Sequence, residues 1–167
     1  MNDMNQGAVP HLQQLTFALA EEEYGVDILA VREIRGWTRV TRIPQTPDHV
    51  LGVLNLRGAI VPIMDLRLRF GLEREAYDDS TVTIIVAVAD RLFGIVVDAV
   101  SDVADIDPAA IKPVPDMGAV VDTRYLKGIA THLDRMLMLL DVEMLMRPED
   151  VETLDAVMSN LQQVEAA

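Results

Sequence analysis

The side chains of this chain that could do chemistry are two aspartates, three histidines, a few serines and one prominent arginine. Asp65 and Asp141 stand at matching places in two similar stretches, Gly52 to Asp65 and Gly128 to Asp141. Two carboxylates supplied one per half would suit the chemistry of an aspartic protease, where like charges held close together keep one group protonated. The residues that follow are Leu66-Arg67 and Val142-Glu143, without the small Thr/Ser-Gly turn that exposes such a pair. Strand-end aspartates closing a turn explain them better than a small β-barrel hydrolase does. His11, His49 and His132 are scattered singly and no two have ligand spacing, so a histidine metal site is not expected. Ser80, Ser101 and Ser159 lie outside any nucleophile elbow, and no glycine-rich phosphate loop is present. The chain has no cysteine, which removes disulfides and thiolate metal sites and suits a reducing cytoplasm. No catalysis and no cofactor are expected.

Arg57 is the residue that remains. It lies in the stretch Leu51 to Leu66, LGVLNLRGAIVPIMDL, where two short apolar runs are joined through Asn55-Leu56-Arg57-Gly58. This pattern predicts a hairpin, with Asn and Gly where the turn needs positive φ. Pro62 cannot donate to a ladder, so its strand is expected at a sheet edge or with a bulge. Arg57 itself is a permanent cation with five donors beside a tight turn. Either it closes a local ion pair with Asp65 or Glu33, or it faces a partner.

The elements around this hairpin follow from local pattern. Residues 1–13 read as a loose tail. Gln14 to Ile28 alternates imperfectly between apolar and polar about the acidic turn Glu21 to Glu23, which predicts another hairpin. Ile28 to Arg35 is ambiguous between a helical turn and a strand. Thr46-Pro47-Asp48 offers a helix start and Gly52 a helix stop, so a helix of one or two turns is expected between them. Arg67 to Ser80 is the connection between halves. Thr81 to Ala89 and Phe93 to Val100 are β-branched runs joined by Asp90-Arg91, the strongest hairpin signal present. Asp107 to Ala110 reads as a capped helical turn, Lys112 to Pro115 as an extended loop, and Arg135 to Val142 as a buried strand. Pro148 to Gln163 carries Val151, Leu154, Val157 and Leu161 at steps of three and four, an amphipathic C-terminal helix within residues 148–167.

The two halves align on themselves. Tyr24-Gly25 matches Phe93-Gly94, and Gly52 to Asp65 matches Gly128 to Asp141 with identical spacing, each preceded at the same distance by a capping residue, Thr46 or Asp122. Two related β-rich units, about residues 14–66 and 81–147, are therefore expected. They differ at the turn: Asn55-Leu56-Arg57-Gly58 is matched by Thr131-His132-Leu133-Asp134. A repeated fold does not demand the NLRG chemistry, which favours contact over packing as the role of Arg57.

Composition narrows the partners. The chain has 167 residues, half of them apolar, and a formal net charge of -13. That charge disfavours nucleic acid and anionic membrane, both of which require clustered Lys and Arg. No apolar run approaches the ~20 residues of a transmembrane helix, and no basic start joins an apolar core as in a signal peptide. Proteins are the expected partners. The nine methionines, with Met136, Met138, Met144 and Met146 close together, fit a packed core and helix seam better than an adaptable binding surface.

The runs EEEYGVDILAVREIRG, TRIPQTP, GVLNLRGAIVPIMDLR, GIVVDAVSDV and DRMLMLLDVEML, in this order and spacing, closely resemble the CheW family of bacterial chemotaxis coupling proteins. The resemblance covers about residues 14–147. It implies a mainly β fold of two intertwined SH3-like five-stranded β-barrel subdomains with short helices. It also implies a cytoplasmic adaptor, recruited to membrane-associated chemoreceptor arrays, that bridges methyl-accepting chemoreceptors and the regulatory domain of the histidine kinase CheA. The positions matching the family's receptor groove are Val31, Glu33, Arg57, Val82, Gly94 and Val100. In that role the valines would form a desolvated centre, Gly94 would permit close backbone approach, and Glu33 with Arg57 would form a charged rim. The kinase contact, made in the family at barrel ends, maps to about Lys112 to Met117. An adaptor for a related motility pathway is the neighbouring alternative.

Overall fold

Alternating and β-branched apolar positions make this chain almost wholly strand, with turns rather than helices as connections. The computed structural model describes residues 12–73, 76–115 and 123–145. Its strands are β1 (Leu12–Leu19), β2 (Glu22–Asp27), β3 (Val31–Gly36), β4 (Val50–Leu56), β5 (Ala59–Asp65), β6 (Val82–Val88), β7 (Arg91–Val97), β8 (Ala99–Ile106), β9 (Leu126–His132) and β10 (Arg135–Leu140). Short 3-10 turns span Ile28–Ala30, Pro108–Ala110 and Thr123–Tyr125, and one-turn helices α1 (Leu66–Arg69) and α2 (Val142–Leu145) follow β5 and β10.

The strands form two five-stranded sheets, ordered β8-β1-β2-β10-β9 and β3-β6-β7-β5-β4. Each joins the opening hairpin of one repeat unit to three strands of the other, which is the intertwining that the resemblance implies. The units of about 14–66 and 81–147 are thus units of sequence, not of sheet. The exchange is made by two antiparallel pairings, β1 with β8 and β3 with β6, and two parallel ones, which set Leu139 opposite Gly25 and Ile63 opposite Gly94. The repeat extends to single hydrogen bonds: Asp65 N–H donates to His49 O and Asp141 N–H to Tyr125 O, each at 2.7 Å.

Alternate residues of β1 and β2 (Leu15, Phe17, Leu19, Tyr24, Val26) pack with Ile84, Val86, Phe93, Ile95 and Val97 of the other sheet in one shared core. Phe17 stacks on Tyr24 at 5.8 Å, Tyr24 meets Phe70 at 5.5 Å, and Phe70 stacks on Tyr125 at 5.5 Å. Each sheet also closes on a small core of its own: Leu56, Val61, Ile63, Ile85 and Val96 in one, Ala104, Ile106, Ala130, Leu137 and Leu139 in the other. Burial, and secondly the Glu22 carboxylate, push the Tyr24 phenol from 10.0 up to about 12. Unfolding frees that phenol to ionise at its ordinary value. The stabilisation is therefore complete below pH 10 and lost as pH rises toward 12. A denaturation series over that range should show stability falling, with a shallower fall in Tyr24→Phe.

Several local expectations are corrected. β1 begins at Leu12, so Leu12 and Gln13 belong to the sheet and not to a tail; the rest of the tail and the C-terminal helix of 148–167 lie outside the described residues. Residues 46–49 form turns, closed by Val50 N–H to Pro47 O at 2.9 Å, because the segment is too short to repay helix nucleation. Gly52 is no helix cap. It lets Thr41 pass so close that a Cβ would stand 2.0 Å from Thr41 O. Pro62 sits on β5, an interior strand, whose pairing with β7 starts one residue later at Ile63, and the register shift falls on β4 between Val50 and Gly52. The β6–β7 turn is Ala89-Asp90, both at positive φ, rather than Asp90-Arg91.

Candidate protein-binding site

The β4–β5 connection is a two-residue loop in which Arg57 (φ 52) and Gly58 (φ 91) both take the left-handed region. Asn55, expected at positive φ, is in β4, and its Oδ1 accepts from Gly58 N–H at 2.9 Å. An arginine held left-handed costs about 1 kcal/mol against glycine. The same conformation recurs in the two-residue loops Ala89-Asp90 and Leu133-Asp134, so the loop length imposes it.

The Arg57 side chain reaches the edge strand β3, where its Nη2 donates to Glu33 Oε1 at 2.8 Å. Arg35, two residues along the same face of β3, donates from Nη1 to Glu33 Oε2, also at 2.8 Å. Of the two partners offered for Arg57 by the sequence, Glu33 is the one it takes. The pair is not buried: the Arg57 side chain is 77% exposed and that of Glu33 24%. An internal ion pair and an outward-facing cation are here one arrangement. The hydrogen bond from Arg57, then that from Arg35, hold the Glu33 carboxyl below its ordinary 4.5. The pairing accordingly persists above that range and is lost only as pH falls through the lowered value. Carboxyl-detected NMR titration should show Glu33 ionising below its ordinary 4.5, and Arg57→Ala should raise its midpoint more than Arg35→Ala does.

Val31, Val82 and Val100 are half-buried and pack against the rim of the shared core. Val31 and Val100 hold equivalent places in the two sheets, opposite Val86 on β6 and Phe17 on β1. Gly94 is buried within the sheet, where a Cβ would stand 2.6 Å from Ile63 Cδ1 and 3.0 Å from Thr83 Cγ2. The close approach it permits is made by its own chain, not at the surface. Lys112 belongs to the other sheet, where its N–H donates to Ile129 O at 2.8 Å and its O accepts from Ile129 N–H at 2.9 Å. Met117 lies outside the described residues.

Sequence reading missed Arg35, which shares the Glu33 carboxylate with Arg57. Arg35 was legible in principle, since i and i+2 share a strand face. Leu29 and Ile34 are apolar residues left 79% and 47% exposed before and within β3, Ile34 on the face of the strand opposite to Glu33.

The aspartates are structural. Asp65 is fully buried, with Oδ1 accepting from Arg67 N–H at 2.9 Å at the start of α1 and Oδ2 from the Tyr77 hydroxyl at 2.7 Å. Tyr77 in turn stacks on Trp37 at 4.0 Å. Asp141 does the same for α2, accepting from Glu143 N–H at 3.2 Å. Each carboxylate caps its own helix in a different sheet. His49 Nε2 lies 3.1 Å from Arg69 Nη1. Among the described residues no cluster could hold a metal, and no helix is long and apolar enough to cross a membrane.

The structure thus sets two five-stranded sheets around one shared core, with an outward-facing arginine on one and an aspartate capping a short helix in each. A family model described as the CheW-like domain matches residues 13–150. The chemotaxis protein CheW of Klebsiella aerogenes is 48% identical over 143 residues, 86% of this chain and 86% of that protein. That of Helicobacter pylori is 36% identical over 139 residues, covering 83% of each. The scaffolding protein TtCheW from Thermoanaerobacter tengcongensis superposes with a TM-score of 0.78 at 35% identity, over 86% of this chain and 93% of that one. The chain belongs to the CheW family of chemotaxis scaffold proteins, which are not enzymes.

Proposed function

We propose that this chain is a cytoplasmic adaptor that couples methyl-accepting chemoreceptors to the histidine kinase CheA within membrane-associated arrays. The observation that carries this reading is the placement of Arg57: a side chain that stays 77% exposed while Glu33 fixes its direction serves recognition better than it serves stability. Glu33 and Arg57 form a charged rim that sets orientation. Val31, Val82 and Val100 supply the apolar surface beside it, and Gly94 acts from beneath by letting Ile63 and Thr83 pack where a side chain would push them out. Lys112 and Met117, in the segment between β8 and β9, are the kinase-facing positions. The adaptor transmits receptor state only by contacting two states of the assembly unequally.

Binding of a soluble receptor cytoplasmic fragment and of the CheA regulatory domain, measured separately, tests the division of labour. Lys112→Glu is expected to weaken the kinase contact and leave the receptor contact unchanged. Equal loss at both partners would contradict separate sites.

A further inference from the structure

The repeat aligns the two sheets closely enough to compare them residue by residue. The β1·β8 ladder slips between Thr16 and Phe17, leaving Ser101 bulged, and the β3·β6 ladder slips between Val31 and Glu33, leaving Arg32 bulged. Thr16 lies opposite Gly25 and Ile85 opposite Gly94, the matched glycines, so Asp102, opposite Thr16, is the counterpart of Glu33, opposite Ile85. On the same alignment Leu133 is the counterpart of Arg57, and both stand at φ 52. Each sheet thus sets a carboxylate on a bulged edge strand and a left-handed residue on a nearby turn. In one sheet the turn carries the cation that pairs with the carboxylate. In the other it carries Leu133, 77% exposed.

Beside Leu133 lies a cavity of about 100 Å³ bordered by Met136, Glu23 and Asp102, with His132 and Arg135 on its wall. Met136 is 59% exposed. Glu23 Oε1 accepts from Ser101 Oγ at 3.1 Å, while Glu23 Oε2 is shut off from solvent without a hydrogen-bond partner. The Asp102 carboxylate accepts from the Val103 N–H at 2.7 Å, and among the described residues no cation pairs with it. Among the described residues the ion pairs of Arg35 and Arg57 go to Glu33 and that of Arg67 to Asp98, and Arg135 pairs with neither acid. Glu23 and Asp102 set two carboxylates on the border of the cavity, and a cation seated there would offset their charge. The volume is well below the ~300 Å³ at which small-molecule pockets begin, so it fits one side chain. Exposed Leu133 and Met136 at the mouth suit the aliphatic stem of such a side chain.

We propose that this pocket receives a lysine or arginine side chain of a partner protein, which supplies from outside the cation that Arg57 supplies from within in the other sheet. Two-dimensional NMR of the full chain, titrated with the blocked tripeptide acetyl-Leu-Arg-Leu-amide, tests this. Saturable shifts are expected at the amides of Ser101, Asp102, Leu133 and Met136, with the glutamine analogue acetyl-Leu-Gln-Leu-amide binding roughly tenfold more weakly. Asp102→Asn should weaken the arginine peptide toward the glutamine one. Leu133→Arg, which copies the Arg57 arrangement at an exposed position, should close the pocket and abolish the response. Equal response to both peptides, shifts confined to the Arg57 turn, or a response unchanged by Leu133→Arg would overturn the proposal.

Discussion

Arg57→Glu is expected to reduce binding of the receptor tip at least ~tenfold, about 1.4 kcal/mol, and to abolish receptor control of the kinase. The fold should survive, within about 0.5 kcal/mol of the parent, because an exposed ion pair contributes little to stability. The direction follows from charge. Glutamate at this turn would face Glu33, with only Arg35 left to bind it, and the rim would present the wrong sign to a partner. A companion variant separates recognition from folding. Arg57→Gly removes the same contact but relieves the left-handed strain at φ 52. It should raise stability by up to ~1 kcal/mol while weakening binding as Arg57→Ala does. Gain of stability with loss of coupling would mark the turn as a functional device. Unfolding of Arg57→Ala, read by circular dichroism, would mark it as structural.

The largest stability effect is expected at Gly52. Alanine there would place Cβ 2.0 Å from Thr41 O and 2.7 Å from its carbonyl carbon, at φ 152. Both obstacles are backbone, and Thr41 is itself paired with Val53 in both directions, at 3.0 and 2.9 Å. The strand crossing must therefore open. A loss of at least ~3 kcal/mol is expected, about 6–12 °C in Tm for a domain of this size. Gly58→Ala is the control: its Cβ would meet nothing within 4 Å. It should lose about 1 kcal/mol, from the positive φ alone. Thermal melts of the two variants, run together, check the contrast.

The strands were legible because β-branched runs declare themselves locally, and the repeat was legible because Gly52 to Asp65 and Gly128 to Asp141 share their spacing. The exchange of hairpins between sheets was not. It depends on four pairings between the units, β1 with β8, β2 with β10, β3 with β6 and β5 with β7, none joined by a tight turn whose chemistry could be read. The same limit explains Pro62, tolerated on an interior strand because β7 starts its pairing just beyond it. The turn misled for a different reason. Asn and Gly are the ordinary bearers of positive φ, yet the loops here place Arg57, Ala89, Asp90, Leu133 and Asp134 there. Tertiary pairing overrides the local preference by fixing a two-residue loop length. At the candidate site, resemblance named Glu33 and Arg57, and the geometry joined them. It could not show that Gly94 is interior, or that Arg35 shares the carboxylate of Glu33, because those facts depend on which face of β3 and β7 turns outward.

The most direct measurement is autophosphorylation of CheA with membrane-embedded chemoreceptors, with and without this chain. The coupling account predicts receptor-dependent stimulation that requires the chain, disappears with Arg57→Glu and returns with neither salt nor excess protein. Stimulation undiminished in Arg57→Glu, or none with the parent chain despite binding to both partners, would contradict it.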